Sequence, residues 1–177
     1  MKYLIILILT LVTTANTQAQ FVKKSTDILC LVPSATAAVN TLARHDRKGM
    51  LQLALSSATC IAVNYGLEAA ITKGRPDGTG SHAFPSTHTA AAFNGATFLT
   101  RRYGWKWGVP AYAIATYVGW GRIYSDRHDI WDVLGGAAIG TGTALIFTRP
   151  YKTKTAEITL SPTFGGGRYG VSAVMKF

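Results

Sequence analysis

Two short polar stretches carry the residues able to do chemistry: GRPDGTGSHAFPSTHT at 74–89 and GRIYSDRHDIWD at 121–132. In the second, Asp132 follows His128 by four residues, a spacing that places both side chains on one face of a helix. A carboxylate there can bind one imidazole nitrogen and leave the other free as a nucleophile or base. A surface His–Asp pair at the start of a helix would have the same spacing, so this pattern alone leaves both interpretations open.

The first stretch has the features of an anion site. Ser86 is a predicted N-cap, and a helix N-terminus presents unpaired N–H groups that bind phosphate. His88 falls in the first turn of that helix, and Arg75 lies on a loop that Pro76 constrains. An arginine can bind two phosphate oxygens at once. An ordinary cap, a loop arginine and a capping histidine would give the same residues.

Two other chemistries use the same side chains. A metal site could draw on His82, His88, His128, Asp126 and Asp132, but the six-residue spacing of His82 and His88 matches no common zinc motif. A Ser-His-Asp hydrolase would need a G-x-S-x-G turn, which this sequence lacks. We therefore expect no metal ligands here.

Taken together, the two stretches resemble the signature of the type 2 phosphatidic acid phosphatase (PAP2) and vanadium haloperoxidase superfamily. That signature is K-x6-R-P, then P-S-G-H, then S-R-x5-H-x3-D, and the resemblance covers roughly residues 50–147. It implies that His128 is the nucleophile and forms a phosphohistidine, that Asp132 orients it, and that His88 protonates the leaving alcohol. It also implies a set of phosphate ligands and no cofactor; the ligands are Arg75, Arg122, Ser86 and the backbone N–H of Thr87.

Three positions depart from the family pattern. Glu68 stands where the family has lysine, Thr87 replaces the glycine of P-S-G-H, and Gly121 replaces the serine of S-R. Lys73 follows five residues after Glu68, and we expect it to reach the phosphate from the loop in place of the family lysine. Since both histidines and both arginines are kept, we expect activity, with altered strength or substrate preference.

The fold class expected is all-α, a PAP2-like bundle of about five core helices. Apolar segments predict helices at 26–43, 50–71, 87–101, 109–120 and 130–147. The tail alternates apolar and polar residues on both sides of Gly165 to Gly167, which predicts a C-terminal β-hairpin. The predicted domains are 20–153 for the bundle and 154–177 for the hairpin.

Residues 1–19 have the pattern of a secretory signal: Lys2, an apolar run over 4–12 and small residues before position 20. An uncleaved N-terminal anchor is the alternative. Export to an oxidising compartment would allow Cys30 and Cys60 to form a disulfide. Two separate buried thiols remain the other interpretation, because sequence does not place the two Cα atoms within bridging distance.

The amino-acid composition favours some classes of binding partner over others. The 177 residues are 48% hydrophobic and 15% charged, with a formal net charge of +10, which favours anionic partners. Basic residues are scattered, which argues against nucleic acid. Past the signal, Gln52, Asn64, Glu68 and Asp132 interrupt the long apolar segments. We therefore favour a compact exported bundle that lies against a membrane over one that crosses it repeatedly.

The function predicted from these residues is an exported, metal-independent phosphatase of phosphate monoesters or diphosphates on the periplasmic side of the envelope. Lipid substrates are favoured: phosphatidate, phosphatidylglycerol phosphate, a polyprenyl diphosphate or a lipid A phosphate. The alternatives are a soluble periplasmic acid phosphatase and vanadate-dependent halide oxidation. A non-enzymatic protein that binds phospholipid headgroups is a further alternative, with Glu68 marking a degenerate site.

Overall fold

The computed structural model describes residues 17–151, 157–165 and 168–176. Within these ranges the chain is a helical bundle followed by one antiparallel hairpin, as the sequence predicts. Residues 17–29 are helical and are labelled α1. The elements that follow are α2 (Val32–Ala43), α3 (Arg47–Ala70), α4 (Thr87–Tyr103), α5 (Trp105–Tyr124), α6 (Ile130–Phe147), β1 (Glu157–Gly165) and β2 (Arg168–Lys176).

The predicted helix at 26–43 is two helices. A turn at Cys30 and Leu31 separates α1 from α2, whose first turn contains Pro33. Proline is well placed there because the first helical N–H groups have no partner within the helix. Residues 1–16 of the predicted signal lie outside the described residues, and 17–19 are part of α1. The signal therefore stays a prediction.

Helix α5 is longer than the predicted segment at 109–120 and runs over 20 residues, Trp105–Tyr124. Pro110 lies inside it, where the missing N–H removes one backbone hydrogen bond and weakens the sequence signal for a helix. The extension carries Arg122 into the last helical turn, which fixes the direction in which its side chain leaves the backbone.

Helix α4 lies at the centre of the bundle and packs against α2, α3, α5 and α6. Gly136 and Gly140 of α6 lie against the carbonyl groups of Ser86 and Ala90 on α4, and a Cβ at either glycine would collide with them. This close approach requires glycine, and it brings the start of α4 beside the start of α6.

Helix α3 has its polar side inside. Ser56 and Asn64 are buried, whereas Leu51 and Ile61 are 62% and 50% exposed. The buried amide of Asn94 on α4 donates to the backbone of Ser56, and the side-chain N–H of Asn64 donates to the Cys60 carbonyl. A buried polar face and an exposed apolar face are typical of helices in contact with lipid.

Three helical segments are long and apolar enough to cross a membrane by length and composition: Thr17–Ala43, Arg47–Ala70 and Ile130–Phe147. Our expectation that no segment past the signal would qualify was therefore wrong. The few polar residues on which it rested, such as Asn64 and Asp132, are buried inside the bundle. The chain is associated with a membrane.

Two further expectations concern the C-terminal hairpin and the pairing of the two cysteines. β1 pairs with β2 in antiparallel register from Glu157↔Lys176 to Gly165↔Arg168, which confirms the hairpin. Cys30 and Cys60 are free and buried, so the structure has separate thiols and no bond between them. The Cys30 thiol donates to the Asp27 carbonyl, and Cys60 sulfur accepts from Asn64, each within its own helical segment.

Candidate active site

The two polar stretches meet at a cavity of about 210 Å³ at one end of the bundle. It lies between the loop from α3 to α4, the start of α4, the end of α5 and the loop that leads into α6. Five of the eight residues that the sequence predicted for catalysis or phosphate binding line it. The lining residues are Tyr65, Glu68, Arg75, His82, Pro85, Thr87, His88, Arg122, Arg127 and His128.

His128 is held in one tautomer by the other polar stretch. Its Nδ1 atom lies 2.8 Å from the carbonyl oxygen of Ala83. A carbonyl oxygen only accepts, so Nδ1 carries the hydrogen and Nε2 keeps a free lone pair. The ring is 6% exposed and lines the cavity. The geometry of a nucleophilic imidazole is therefore present.

Burial, with Arg122 nearby, lowers the pKa of His128 to about 4, although Ala83 and Asp132 oppose the shift. The imidazole is consequently neutral at neutral pH, as a nucleophile requires. Asp132 is the more distant of the two partners of His128 Nδ1: its Oδ2 atom lies 3.6 Å away, whereas the Ala83 carbonyl oxygen lies 2.8 Å away. A carboxylate at that distance would stabilise positive charge that develops on the ring.

Asp132 is fully buried at the start of α6. Asp129 is the N-cap of α6 and forms a capping box with Asp132, so His128 lies just before the helix. Lys73 Nζ donates to Asp129 and to Asp132, each at 2.6 Å. Burial alone would lower the pKa of Lys73, but these two carboxylates outweigh it and raise the pKa.

Lys73 therefore points to carboxylates and is not among the residues that line the cavity. Our expectation that it replaces the family lysine as a phosphate ligand finds no support in these contacts. Glu68 does line the cavity, so the side chain at the family lysine position carries the opposite charge to lysine. The backbone carbonyl of Glu68 accepts from His82 Nδ1 at 2.8 Å.

The arginines form an electropositive wall. Arg75, Arg122 and Arg127 line the cavity, and the buried Nε atom of each has no hydrogen-bond partner among the described residues. Buried guanidinium donors are costly to leave unpaired. An anion held between them would satisfy these donors, and phosphate matches guanidinium geometry.

The two loops that carry the arginines are joined directly. Arg127 Nη1 donates to Asp77 at 2.7 Å and to Thr79 at 2.8 Å, and the Asp77 N–H donates to the carbonyl of Asp126. The carbonyl of Arg122 accepts from the N–H groups of Arg127 and His128. This turn explains why the histidine follows the arginine by six residues.

Ser86 is the N-cap residue of α4, as predicted, but its side chain forms no capping hydrogen bond. The buried hydroxyl instead accepts from Thr89 at 3.0 Å. The Ser86 N–H donates to the carbonyl of Asp132, which joins the starts of α4 and α6. Thr87 lies on the cavity wall, as the phosphate-ligand prediction requires.

His88 lines the cavity, with its Nε2 atom 3.3 Å from Oδ1 of Asp27 on α1. The same carboxylate oxygen accepts from Arg122 Nη1 at 2.5 Å. Burial and Arg122 lower the pKa of His88 to about 4, and Asp27 opposes them. Asp27 is therefore a negative group between the two residues expected to handle the leaving group and the phosphate.

Sequence reasoning missed Asp27, Arg127 and the carbonyl of Ala83. Asp27 gave a usable signal, because it is an isolated carboxylate in an apolar stretch and such a charge needs a partner. A backbone carbonyl gives no such signal.

The rival metal ligands are separated by other contacts. His82 faces the Glu68 carbonyl, His128 faces the Ala83 carbonyl, and Asp132 faces Lys73. Across residues 17–151 and the hairpin strands, no group of three or more His, Cys, Asp or Glu side chains is placed to hold a metal ion.

Comparison with known proteins identifies the family of the chain. The sequence profile of the PAP2 superfamily matches residues 3–156. A lipid A 4'-phosphatase of Helicobacter pylori is 32% identical over an alignment of 170 residues that covers 88% of this chain and 85% of that protein. A lipid A 1-phosphatase of Porphyromonas gingivalis is 45% identical over 69 residues, 37% of this chain and 16% of that protein.

Two solved structures share the fold. A transmembrane PAP2-type phosphatidylglycerolphosphate phosphatase from Bacillus subtilis superposes with a TM-score of 0.58 and 26% identity, over 75% of this chain and 74% of that one. LpxE from Aquifex aeolicus superposes with a TM-score of 0.59 and 23% identity, over 78% of this chain and 92% of that one.

Proposed function

The chain belongs to the PAP2 superfamily and is a phosphatase, and we propose that it removes a phosphate from a lipid of the lipid A class through a phosphohistidine. The observation that carries the mechanism is the pairing of His128 Nδ1 with the Ala83 carbonyl, which leaves Nε2 as a lone pair in an arginine-lined cavity. The function rests on this atom being the nucleophile.

In the first step, Nε2 of His128 attacks phosphorus and the bond from phosphorus to the ester oxygen breaks. His88 gives its proton to the leaving oxygen, which departs as an alcohol. Positive charge on the phosphorylated ring is stabilised by Asp132, which Lys73 and the Asp129 N–H hold in place. The three arginines and the start of α4 stabilise the negative charge on the phosphoryl oxygens.

In the second step, water attacks phosphorus and the bond to His128 Nε2 breaks. His88, now neutral, accepts the proton of that water and is ready for another cycle. Phosphate leaves, and His128 returns to its neutral form with hydrogen on Nδ1. Burial lowers the pKa of this ring to about 4, and a weakly basic nitrogen is a good leaving group when water attacks phosphorus.

Lipid A phosphate is favoured by the relative that matches 88% of the chain. A lipid also fits the exposed apolar faces of α3 and α6, on which Leu55 is 45% and Ile146 is 76% exposed. The soluble acid phosphatase alternative fits those faces poorly. Glu68 weakens the positive field of the cavity, so we expect it to reduce the strength of phosphate binding.

The proposed site lies on the periplasmic side of a membrane, as the predicted signal suggests. The two native cysteines are buried, so a new exposed cysteine can report sidedness with a membrane-impermeant maleimide. Thr79→Cys, beside the cavity, should react in cells with a permeabilised outer membrane. His45→Cys, at the other end of α3, should not. The reverse labelling would contradict the periplasmic placement.

The function is tested with the full chain in detergent micelles and EDTA present. Phosphate release is measured from lipid A, phosphatidate and p-nitrophenyl phosphate, and mass spectrometry identifies which lipid A phosphate is lost. His128→Asn should reduce release by about 1,000-fold or more. His45→Asn is the matched control, because His45 is exposed at φ 50 and asparagine tolerates that conformation. No release by the unaltered chain from any substrate would favour the headgroup-binding alternative.

A further inference from the structure

We propose that Asp27 is a positioning residue that favours the protonated form of His88, the form that donates a proton to the substrate's leaving oxygen. This inference rests on the phosphatase function proposed above. It is carried by one oxygen atom: Oδ1 of Asp27 lies 3.3 Å from His88 Nε2 and 2.5 Å from Arg122 Nη1. No family motif quoted above contains this residue.

The packing of α1 on α5 holds Asp27 at the cavity. At Gly121, the family serine position, α1 approaches closely: a Cβ there would lie 2.5 Å from Thr26 Cγ2 and 2.9 Å from Val22 Cγ1. Thr26 is fully buried, and Ser25 lies within hydrogen-bond distance, 3.0 Å, of the Tyr117 hydroxyl. Glycine in place of the family serine thus leaves space for α1, the helix that carries the Asp27 carboxylate.

The charges around His88 explain why a carboxylate is needed there. Arg122, Arg127 and Arg75 all disfavour the protonated imidazole, as does burial. A general acid must hold a proton when substrate arrives, and Asp27 is the negative group in contact with it. The charged and titratable groups that face the same cavity from the packed elements are Tyr65 and Glu68 on α3, Arg75 and His82 on the loop before α4, Arg122 on α5, and Arg127 and His128 before α6.

Asp27 and the substrate use the same partners in turn. Phosphate oxygens entering the cavity would compete with Asp27 for Arg122, and the ester oxygen would then take the Nε2 hydrogen of His88. Asp27 therefore acts on the free enzyme. The value of kcat/KM reports ionisations of the free enzyme, and kcat reports those of the substrate complex. Loss of the carboxylate should move the kcat/KM profile more than the kcat profile.

The test compares Asp27→Asn, Asp27→Glu and the unaltered full chain in detergent, with Lys24→Gln as an exposed control on the same helix. Two substrates are used: lipid A, whose leaving alcohol needs a proton, and p-nitrophenyl phosphate, whose phenolate leaves without one. In Asp27→Asn, kcat/KM for the lipid should fall about 10-fold or more and that for the aryl ester less than about 3-fold. The basic limb of the lipid profile should move to lower pH, and Asp27→Glu should restore part of the loss.

Two kinetic outcomes would overturn the proposal. Equal losses with both substrates would mean that Asp27 serves Arg122 and phosphate binding. A lower KM with both substrates would mean that the carboxylate merely competes with phosphate. A third readout needs no activity: the pKa of His88, measured by NMR, should fall in Asp27→Asn, and an unchanged value would contradict the inference. If the unaltered chain releases no phosphate, the proposed function fails while this titration still decides the role of Asp27.

Discussion

The Nδ1 atom of His128 lies 2.8 Å from the carbonyl oxygen of Ala83, a residue some forty-five positions earlier in the other polar stretch. One stretch thus supplies the proposed nucleophile, and the other fixes which of its nitrogens is free. The closer partner is a peptide group, and the Asp132 carboxylate lies at 3.6 Å. The site therefore depends on the relative position of two loops as much as on the side chains they carry.

The pH dependence should separate the two histidines. The nucleophile must be unprotonated, so kcat/KM should fall as the pH drops through about 4, the pKa of His128. The acid must be protonated, so lipid hydrolysis should also fall as the pH rises above the pKa of His88, which burial and Arg122 lower to about 4. We expect an optimum for lipid A below the ordinary histidine pKa of 6.5.

An aryl phosphate needs no acid, so its profile should keep only the acidic limb across the same pH range. The second ionisation of the phosphate acts on both substrates and cancels in the comparison. Profiles for lipid A and p-nitrophenyl phosphate that decline together above neutral pH would show that His88 does not protonate the leaving group.

Lys73 should affect turnover and stability more than substrate binding. In Lys73→Met, the buried Asp132 carboxylate loses a partner at 2.6 Å and faces Asp129 without compensation. We expect kcat to fall about 10-fold and the free energy of unfolding to fall by about 2 kcal/mol. Initial rates and thermal unfolding in detergent measure both. Lys73→Arg keeps the charge and should retain more of each, whereas a higher KM with unchanged kcat would restore Lys73 as a phosphate ligand.

Glu68 should weaken phosphate binding, because its carboxylate lines a cavity that three arginines make positive. Glu68→Gln should lower KM several-fold, and Glu68→Lys, which restores the family residue, should lower it further. The inhibition constant of inorganic phosphate gives an independent measure of how strongly the cavity binds an anion. A KM that rises in Glu68→Gln would instead indicate that Glu68 binds a substrate group, such as a cationic one.

The buried pair of Asp46 and Arg102 should stabilise the bundle without affecting the chemistry. Arg102 donates two hydrogen bonds to Asp46, at 2.6 Å and 2.5 Å. Along α4 it lies fourteen residues from His88, or about 21 Å. Asp46→Asn should lower the free energy of unfolding by about 3 kcal/mol and leave kcat unchanged. Lys106→Gln, an exposed change on α5, is the control. An equal loss of stability in that variant would contradict a specific stabilising role for the pair.

The sign of the pH effect on this pair follows from its environment. Burial raises the pKa of Asp46, but the bonds from Arg102 and Gly49 outweigh it and lower the pKa below 3.8. The pair therefore stabilises the protein fully above that pH, and the contribution is lost as pH falls further. Thermal midpoints of the unaltered chain and Asp46→Asn should converge under those acidic conditions.

The sequence alone predicted the helical bundle, the hairpin and the residues of the family motifs. Helix periodicity and local spacing carry that information, so 130–147 agreed with α6 at both ends. Helix ends near Pro110 and the turn at Cys30 were missed, because packing overrides local preference there. The segments long and apolar enough to span a membrane were missed because Asn64 and Asp132 count as polar in a sequence but are buried in the bundle.

Only the tertiary structure decided what the shared residues contact. The R-x5-H-x3-D spacing identifies His128 and Asp132, but the Ala83 carbonyl that sets the tautomer has no side chain to signal it. The sequence placed Lys73 near the phosphate, whereas the fold directs it to two carboxylates. Asp27 reaches the cavity because α1 packs against Gly121, more than ninety residues away in the chain. Long-range packing of this kind depends on several helices at once, which is why a local motif does not contain it.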